Sequence, residues 1–407
     1  MAKGVATAKR GTIEVQSRLR MFLSLDIVGS TEFKQAKRGV ETAEGADSWV
    51  EPFLSFYQIA VQQMAVQWAA VRESIAAVGR GDSSERFEFG DGPVFWKGIG
   101  DEVLFTKVVR SPIDAMAALQ ALIGLMTEHR RQFAAKPQWQ RLNVKGAAWL
   151  AGFPVNNAEV ILPAKDGRPA AGALDDPVAE NYRLLARRDT TPATADRFHA
   201  DYIGPSVDLG FRLRELADPR RLVVSADLAW LLCHAHRSCR ERELKACRYL
   251  AMPRVGYEGR QSLRGILAGE PYPLIWIESD PTNPLNNAED RLLRRAPGKA
   301  RARQHLSSLW DFCNAFLTGD SPLSMRPYIP GCRVGGVGEM SDDHRRRLDA
   351  IRAFANGPAE QLVSLARSDR GTNPIPAAAR AFARGVLREI DPKRPNPRRP
   401  NPRRPGR

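Results

Sequence analysis

Two carboxylates in this chain stand where chemistry could use them. Asp26 closes the apolar run Met21-Phe22-Leu23-Ser24-Leu25 and is followed by Ile27-Val28-Gly29-Ser30-Thr31. Asp101 ends Lys97-Gly98-Ile99-Gly100-Asp101, between Val94-Phe95-Trp96 and Val103-Leu104-Phe105. Each reads as an acid at a strand end beside a glycine turn, where a side chain faces a cleft. Brought close, two carboxylates repel and raise a pKa, so a divalent cation is their natural partner. Hard oxygen donors favour Mg²⁺ or Mn²⁺ over zinc. The N–H groups and hydroxyls of Gly29, Ser30 and Thr31 suit an anion. A metal beside such a turn suits a nucleoside triphosphate.

The elements that must position this pair follow from periodicity. Phe22, Ser24 and Asp26 alternate with Met21, Leu23 and Leu25, which predicts a half-buried strand. A helix is expected over 49–77, with Trp49, Phe53, Phe56, Tyr57, Ala60 and Met64 near one stripe. Residues 79–92 read as a hairpin tip or loop, and Lys97 to Asp101 as the tight turn of a second hairpin. A helix over 112–134 and a strand over 142–150 follow. A helix from about 205 to 217, a strand over 221–224 and apolar stretches near 262–267 and 273–278 complete the pattern. The order β-α-β-β-α-β predicts an α+β fold of ferredoxin-like topology, an antiparallel sheet with helices on one face. That topology sets the first strand beside the hairpin, and so Asp26 beside Asp101.

We expect an N-terminal extension over 1–17, a core domain over 18–280 with an insertion at about 154–200, and a smaller helical C-terminal region over 281–390. Its helical segments are expected at 286–318, 341–356 and 375–390. The tail 391–407, DPKRPNPRRPNPRRPGR, holds seven basic residues, one acid and no hydrophobic residue, so it is expected to be disordered and extended. It supplies much of the net charge of +15, which makes the charge a weak argument for nucleic-acid binding by the body. No apolar run approaches the ~20 residues that span a bilayer, and the N-terminus lacks a signal peptide's apolar stretch. The expected location is cytoplasmic, with no membrane partner. Five widely spaced cysteines do not form a disulfide framework. Cys233, His234, His236, Cys239 and Cys247 have zinc-ligand chemistry but fall in an apolar helical stretch without paired CxxC spacing, so core packing is the expectation.

The residues around the two acids resemble the class III nucleotidyl cyclases. Their first metal motif, F-x-x-D-I-x-G-x-T, is matched by Phe22 or its neighbour Leu23 with Asp26-Ile27-Val28-Gly29-Ser30-Thr31. Their second, K-x-x-G-D, is matched by Lys97, Gly100 and Asp101. The third, D-x-x-G-x-x-V-N-x-A-x-R, appears as DYIGPSVDLGFR: Asp201, Gly204, Val207 and Arg212 match, while Asp208 replaces Asn and Gly210 replaces Ala. The resemblance covers about residues 18–280. It implies a class III cyclase catalytic core in which Asp26, Asp101 and the Ile27 carbonyl hold two divalent cations, Mn or Mg. It further implies that Gly29, Ser30 and Thr31 cradle phosphates and that Lys97 and Asp201 read the base. Arg212 would stabilise charge on the α-phosphate, and Arg264, in Ser262-Leu263-Arg264-Gly265-Ile266, is a candidate triphosphate clamp. The family's Asn hydrogen-bonds the ribose; Asp208 in its place can only accept when ionised, and can instead turn to Arg212 one turn away. Because one subunit supplies the carboxylates and the other the base pair and arginine, a homodimer with two composite sites is implied.

On hydrogen-bonding edges, Lys97 and Asp201 suit adenine, then cytosine. The surroundings resemble more closely the pyrimidine cyclases of bacterial Pycsar anti-phage systems, in the opening Asp26 to Lys34, the aromatic first helix and the hairpin Trp96 to Glu102. That resemblance implies cyclic UMP, or cyclic CMP, as a second messenger read by a separate effector protein. Tyr57 and Trp96 are candidates for a bulky wall shortening the base pocket, or else core aromatics. The alternatives are an adenylate cyclase and a catalytically inactive nucleotide sensor of cyclase fold.

Overall fold

Strand β1 (Arg18–Val28) lies near the middle of the main sheet, between the two strands whose residues flank the carboxylate pair. The computed structural model describes residues 14–36, 49–79, 89–163, 198–241, 254–295, 306–319, 326–334 and 336–356, with isolated positions between 178 and 188. Most of the expected insertion at 154–200, the expected helix over 375–390 and the tail 391–407 fall outside the described residues, as does Cys247. The chain divides into two units. The larger comprises Gln16–Leu162 and Ala200–Met340; the smaller comprises Met1–Val15, Pro163–His199 and Ser341–Arg407.

After β1 come α1 (Ser30–Ala36), α2 (Val50–Gly79), β2 (Val94–Ile99), β3 (Glu102–Val108), α3 (Pro112–Ala135) and β4 (Asn143–Phe153). Next are β5 (Ala158–Pro163), β6 (Phe198–Ile203), α4 (Pro205–Leu213), β7 (Arg221–Val224) and α5 (Ala226–Glu241). The elements β8 (Val255–Ser262), β9 (Pro271–Glu278), α6 (Pro284–Arg295) and α7 (Leu306–Leu317) follow. The main sheet has seven strands in the order β2-β3-β1-β4-β7-β9-β8, and β5 and β6 form a separate ribbon. Every pairing in the main sheet is antiparallel except β4 with β7. The fold is α+β, and its first four strands with α2 and α3 have the ferredoxin-like βαββαβ order and neighbours.

Two cores form on the two faces of β1. Met21, Leu23, Leu25 and Ile27 share one apolar cluster with Phe53, Phe56, Ala60 and Met64 of α2 and Met116, Leu119, Leu122 and Met126 of α3. On the opposite face Phe22 joins Trp96, Leu104, Trp149, Phe153, Tyr202 and Val207. The Phe22 ring stacks on Trp149 at 5.5 Å and meets Tyr202 edge-on at 5.2 Å. Alternation predicts a half-buried strand, yet β1 is buried on both faces. The polar Ser24 that creates the alternation is itself buried, because its hydroxyl donates to Glu102 at 2.5 Å. Burying each of these large side chains contributes roughly 1.5–3 kcal/mol.

The apolar stretch near 262–267 is not a strand. It leaves β8 as a loop into a 3-10 turn, Leu267–Gly269, with Leu263 and Ile266 buried beneath it. Helix α4 is shorter than the expected 205–217, passing at Arg214 into a 3-10 turn over Arg214–Leu216. Helix α7 inserts Leu309, Cys313 and Leu317 into the larger cluster, where Cys233 of α5 also lies. Cys233 and Cys313 are free, buried thiols, and burial raises both above the ordinary thiol value, Cys233 to about 12, as apolar surroundings require. In the smaller unit, α8 (Asp342–Asn356) is capped by Ser341, whose hydroxyl accepts from the His344 N–H at 3.2 Å. No described helix is long and apolar enough to cross a membrane.

Candidate active site

The end of β1 and the β2–β3 turn bring Asp26 and Asp101 together. The Ile27 N–H donates to the Asp101 carbonyl at 3.3 Å, which ties the turn to the strand. Gly29 makes this geometry possible: its φ is +83°, and an added Cβ would lie 2.9 Å from the Arg141 carbonyl oxygen. Gly100, just before Asp101, also has a positive φ of 66°. Gly29, Ser30 and Thr31 lead directly into α1, with the Phe33 N–H donating to the Gly29 carbonyl at 3.0 Å. Burial raises the Asp26 carboxyl above its ordinary value, Lys145 pulls it down and Asp101 pushes it up again; burial prevails. Two half-exposed hard-oxygen donors at one edge, mutually repelling, form a donor set that fits Mg²⁺ or Mn²⁺.

Sequence reasoning misses the residues that surround this pair. Register sets Asp26 of β1 opposite Glu102 of β3 and Lys145 of β4, so all three side chains leave one face of the sheet. Lys145 Nζ lies 3.5 Å from Asp26 Oδ2, and Lys34 Nζ lies 3.9 Å from Asp101 Oδ2. Glu102 is buried and is held by the Ser24 hydroxyl and by the Arg214 guanidinium. An acid opening the otherwise apolar run Glu102-Val103-Leu104-Phe105 is the one signal that marks Glu102 in the sequence. Nothing local marks Lys145 or Arg214.

Tyr57 belongs to the same edge. Its hydroxyl donates to the Gly100 carbonyl at 2.6 Å and approaches the Glu102 carbonyl at 3.5 Å, clamping the turn that presents Asp101. Its ring packs on Gly98, where an added Cβ would fall 2.8 Å from Tyr57 Cε1. Burial, Asp101 and Asp26 all raise its phenol above the ordinary value, so the hydroxyl remains a donor.

Lys97 and Asp201 form a second constellation. Lys97 Nζ donates to Asp201 Oδ1 at 2.9 Å, with the two side chains 30% and 32% exposed. Burial alone would raise Asp201, but hydrogen bonds from Lys97 and from the Tyr202 N–H outweigh it and hold the carboxyl below its ordinary value. A register shift in β2 between Phe95 and Lys97 explains the local geometry. Trp96 turns into the aromatic core against Phe22 and Tyr202, and Lys97 lies over its ring with Nζ 4.1 Å from the centroid. Trp96 is thus a core aromatic whose face also borders Lys97.

Helix α4 carries the remaining candidates. Asp208 is exposed and does not pair with Arg212. Arg212 instead meets Glu215 at 3.3 Å and donates from Nε to the Arg264 carbonyl at 3.2 Å. Arg212 and the exposed Arg264 therefore spring from adjoining backbone, and neither touches Asp26 or Asp101 of its own chain. Gly210 is where α4 meets Trp149, whose indole occupies the space a Cβ would need.

No family model matches the sequence, and no curated protein matches it. Solved structures do. The adenylyl cyclase CyaB from P. aeruginosa aligns with 65% of this chain and 95% of its own, at 15% identity and a TM-score of 0.37. The guanylyl cyclase Cya2 aligns with 66% of this chain and 96% of its own, at 12% identity and a TM-score of 0.33. A bacterial light-regulated adenylyl cyclase aligns with 74% of this chain and 59% of its own, at 12% identity and a TM-score of 0.35.

Proposed function

We propose that this protein is a nucleotidyl cyclase that converts a pyrimidine nucleoside triphosphate, UTP before CTP, into its 3′,5′-cyclic monophosphate and pyrophosphate. The observation that carries the proposal is the carboxylate pair: Asp26 and Asp101 share one edge, beside the Gly29-Ser30-Thr31 turn. Asp26, Asp101 and the Ile27 carbonyl would hold two divalent cations, Mg²⁺ or Mn²⁺, which when bound acidify the ribose 3′-hydroxyl and neutralise the departing pyrophosphate. Gly29, Ser30 and Thr31 receive the β- and γ-phosphates. Tyr57 keeps the Asp101 turn in place through the Gly100 carbonyl. Arg212 offsets the charge that grows on the α-phosphate as the 3′-oxygen attacks, and Arg264 beside it grips the triphosphate. Asp208, exposed one turn earlier, accepts from a ribose hydroxyl.

Arg212 is engaged by Glu215 and Arg264 rather than by the carboxylate edge of its own chain. This supports a site assembled from two copies, each giving its carboxylates to one site and its Lys97, Asp201 and Arg212 to the other. The preference for a pyrimidine rests on the sequence resemblance to the Pycsar cyclases and on Trp96 bordering Lys97. With it goes the role of a second messenger in anti-phage defence, read by a separate effector.

A second reading, adenylate cyclase, is favoured by one observation. Lys97 and Asp201 stand 2.9 Å apart as donor and acceptor, the pattern for a ring nitrogen beside an exocyclic amine. A mismatched base edge leaves buried polar groups unpaired at about 1–3 kcal/mol each, so one product should dominate. Incubation with equimolar ATP, GTP, CTP and UTP and Mn²⁺, with products weighed by mass spectrometry, decides between them. Cyclic UMP is expected; cyclic CMP keeps the pyrimidine reading with the edge argument deciding the base. Cyclic AMP replaces it with the second reading, and no cyclic product from any substrate overturns both.

A further inference from the structure

Each carboxylate of the candidate metal edge has its own ammonium group. Lys145 is opposite Asp26 across the β1–β4 pairing, and its Nζ lies 3.5 Å from Asp26 Oδ2. Lys34, on α1, has Nζ 3.9 Å from Asp101 Oδ2 and 4.4 Å from the Phe53 ring centroid. These four side chains are between 24% and 34% exposed, so the lysines have solvent on one side and room to swing. Glu102, the third acid of the edge, is already committed to Ser24 and Arg214. Two carboxylates and two ammonium groups leave the edge without net charge.

A lone divalent cation arriving here would displace two ammonium groups to gain only two carboxylates. Among the described residues no group of three or more His, Cys, Asp or Glu side chains offers it a fuller set. A cation that arrives with a triphosphate meets the opposite balance. Phosphate oxygens would add to the donors that Asp26 and Asp101 offer, and Lys34 and Lys145, once displaced, would find phosphate charge to pair with.

We propose that Lys34 and Lys145 set the order of loading: the edge takes up its divalent cations together with a triphosphate, the lysines passing from the carboxylates to the phosphates. This rests on the cyclase reading through the assignment of Asp26 and Asp101 as metal ligands. It adds two residues, and an obligatory coupling between metal and triphosphate, to that assignment.

Equilibrium dialysis of the full chain against Mn²⁺, with and without inorganic tripolyphosphate at matched free Mn²⁺, tests it without turnover. The wild type should retain Mn²⁺ about tenfold more tightly when tripolyphosphate is present. Lys34→Met with Lys145→Met should bind Mn²⁺ alone about tenfold more tightly than the wild type and lose most of the tripolyphosphate effect. Lys145→Arg, which keeps the charge, should behave as the wild type. If the double methionine variant does not fold, the glutamine pair at the same positions serves the same comparison. Tight Mn²⁺ binding by the wild type without tripolyphosphate, or lysine variants indistinguishable from it in both arms, overturns the loading order. Asp26→Asn separates the two levels of inference. If it abolishes Mn²⁺ retention while the lysine variants have no effect, only the loading order fails; if it leaves retention unchanged, the metal assignment and the cyclase reading fail together.

Discussion

At Gly210 an added Cβ would fall 2.0 Å from Trp149 Cε2 and 2.2 Å from Cδ2, and the indole has nowhere to retreat because Phe22 and Phe211 flank it at 5.5 and 5.9 Å. The cyclase motif that this stretch resembles has Ala at the position, so the glycine reads locally as a departure; the reason for it lies on β4. Gly210→Ala should destabilise the fold by about 1–3 kcal/mol through overpacking, even though Ala favours a helix by about 1 kcal/mol over Gly. Urea denaturation measures this, and an unchanged or raised midpoint would mean that the Trp149 ring moves aside. The same lesson applies to the site. Asp26, Asp101, Lys97, Asp201 and Arg212 are legible because each sits in a short motif with its own spacing. Lys145, Arg214 and the burial of Glu102 are not, because they depend on which residues the sheet and α4 set opposite one another.

Among the elements, the β2–β3 hairpin shows how far local signals reach. Its strands and turn are plain from the glycines between apolar runs, but the register shift at Trp96 is not, and that shift sends Trp96 into the core with Lys97 above it. Helix α2 is equally plain from its aromatic stripe, while Tyr57's task is set by the turn it meets. Tyr57→Phe keeps the ring against Gly98 and removes only the bond to the Gly100 carbonyl, a loss of roughly 1 kcal/mol. If the proposed cyclase reading holds, turnover should fall about tenfold through misplacement of Asp101, with little change in melting temperature. Unaltered turnover would show that the turn holds without the clamp. Strands β5, β6 and β8 carry no comparable signal, and the apolar Leu263 and Ile266 imitate a strand by filling the core from a loop.

The α2–α3 interface yields a prediction of its own. His129 is fully buried between Phe56 and Phe133, and neither ring nitrogen has a hydrogen-bond partner among the described residues. Burial pushes its imidazole down to about 4 from an ordinary 6.5. Between those values the unfolded chain binds a proton that the native state does not, so stability is lost as pH falls through 6.5 toward 4. The loss from this group should approach about 3 kcal/mol. His129→Leu should flatten the stability profile across that window in urea titrations at a series of pH values; an unchanged slope would mean that the imidazole takes its proton inside the fold.

At the scale of the whole molecule, β2 is the outer strand of the main sheet, and it leaves Val94, Phe95 and Ile99 exposed at 57%, 45% and 39%. Apolar side chains on an open strand edge are usually covered, and in the proposed composite arrangement a second copy of the chain is the expected cover. In the proposed arrangement Asp26 and Arg212 of one chain serve different sites. Asp26→Asn and Arg212→Ala should therefore each be inactive alone. Mixed under conditions that allow subunit exchange, they form heterodimers in which one site carries both defects and the other carries neither. With random pairing, half of the dimers are mixed and half of their sites are intact, so activity should return to about a quarter of the wild-type value per site. Mass spectrometry of intact dimers, with one variant isotopically labelled, verifies the exchange independently of turnover. Dimers that exchange yet stay inactive would place all the catalytic groups of a site within one chain, and a chain that remains monomeric while active would remove the composite site altogether.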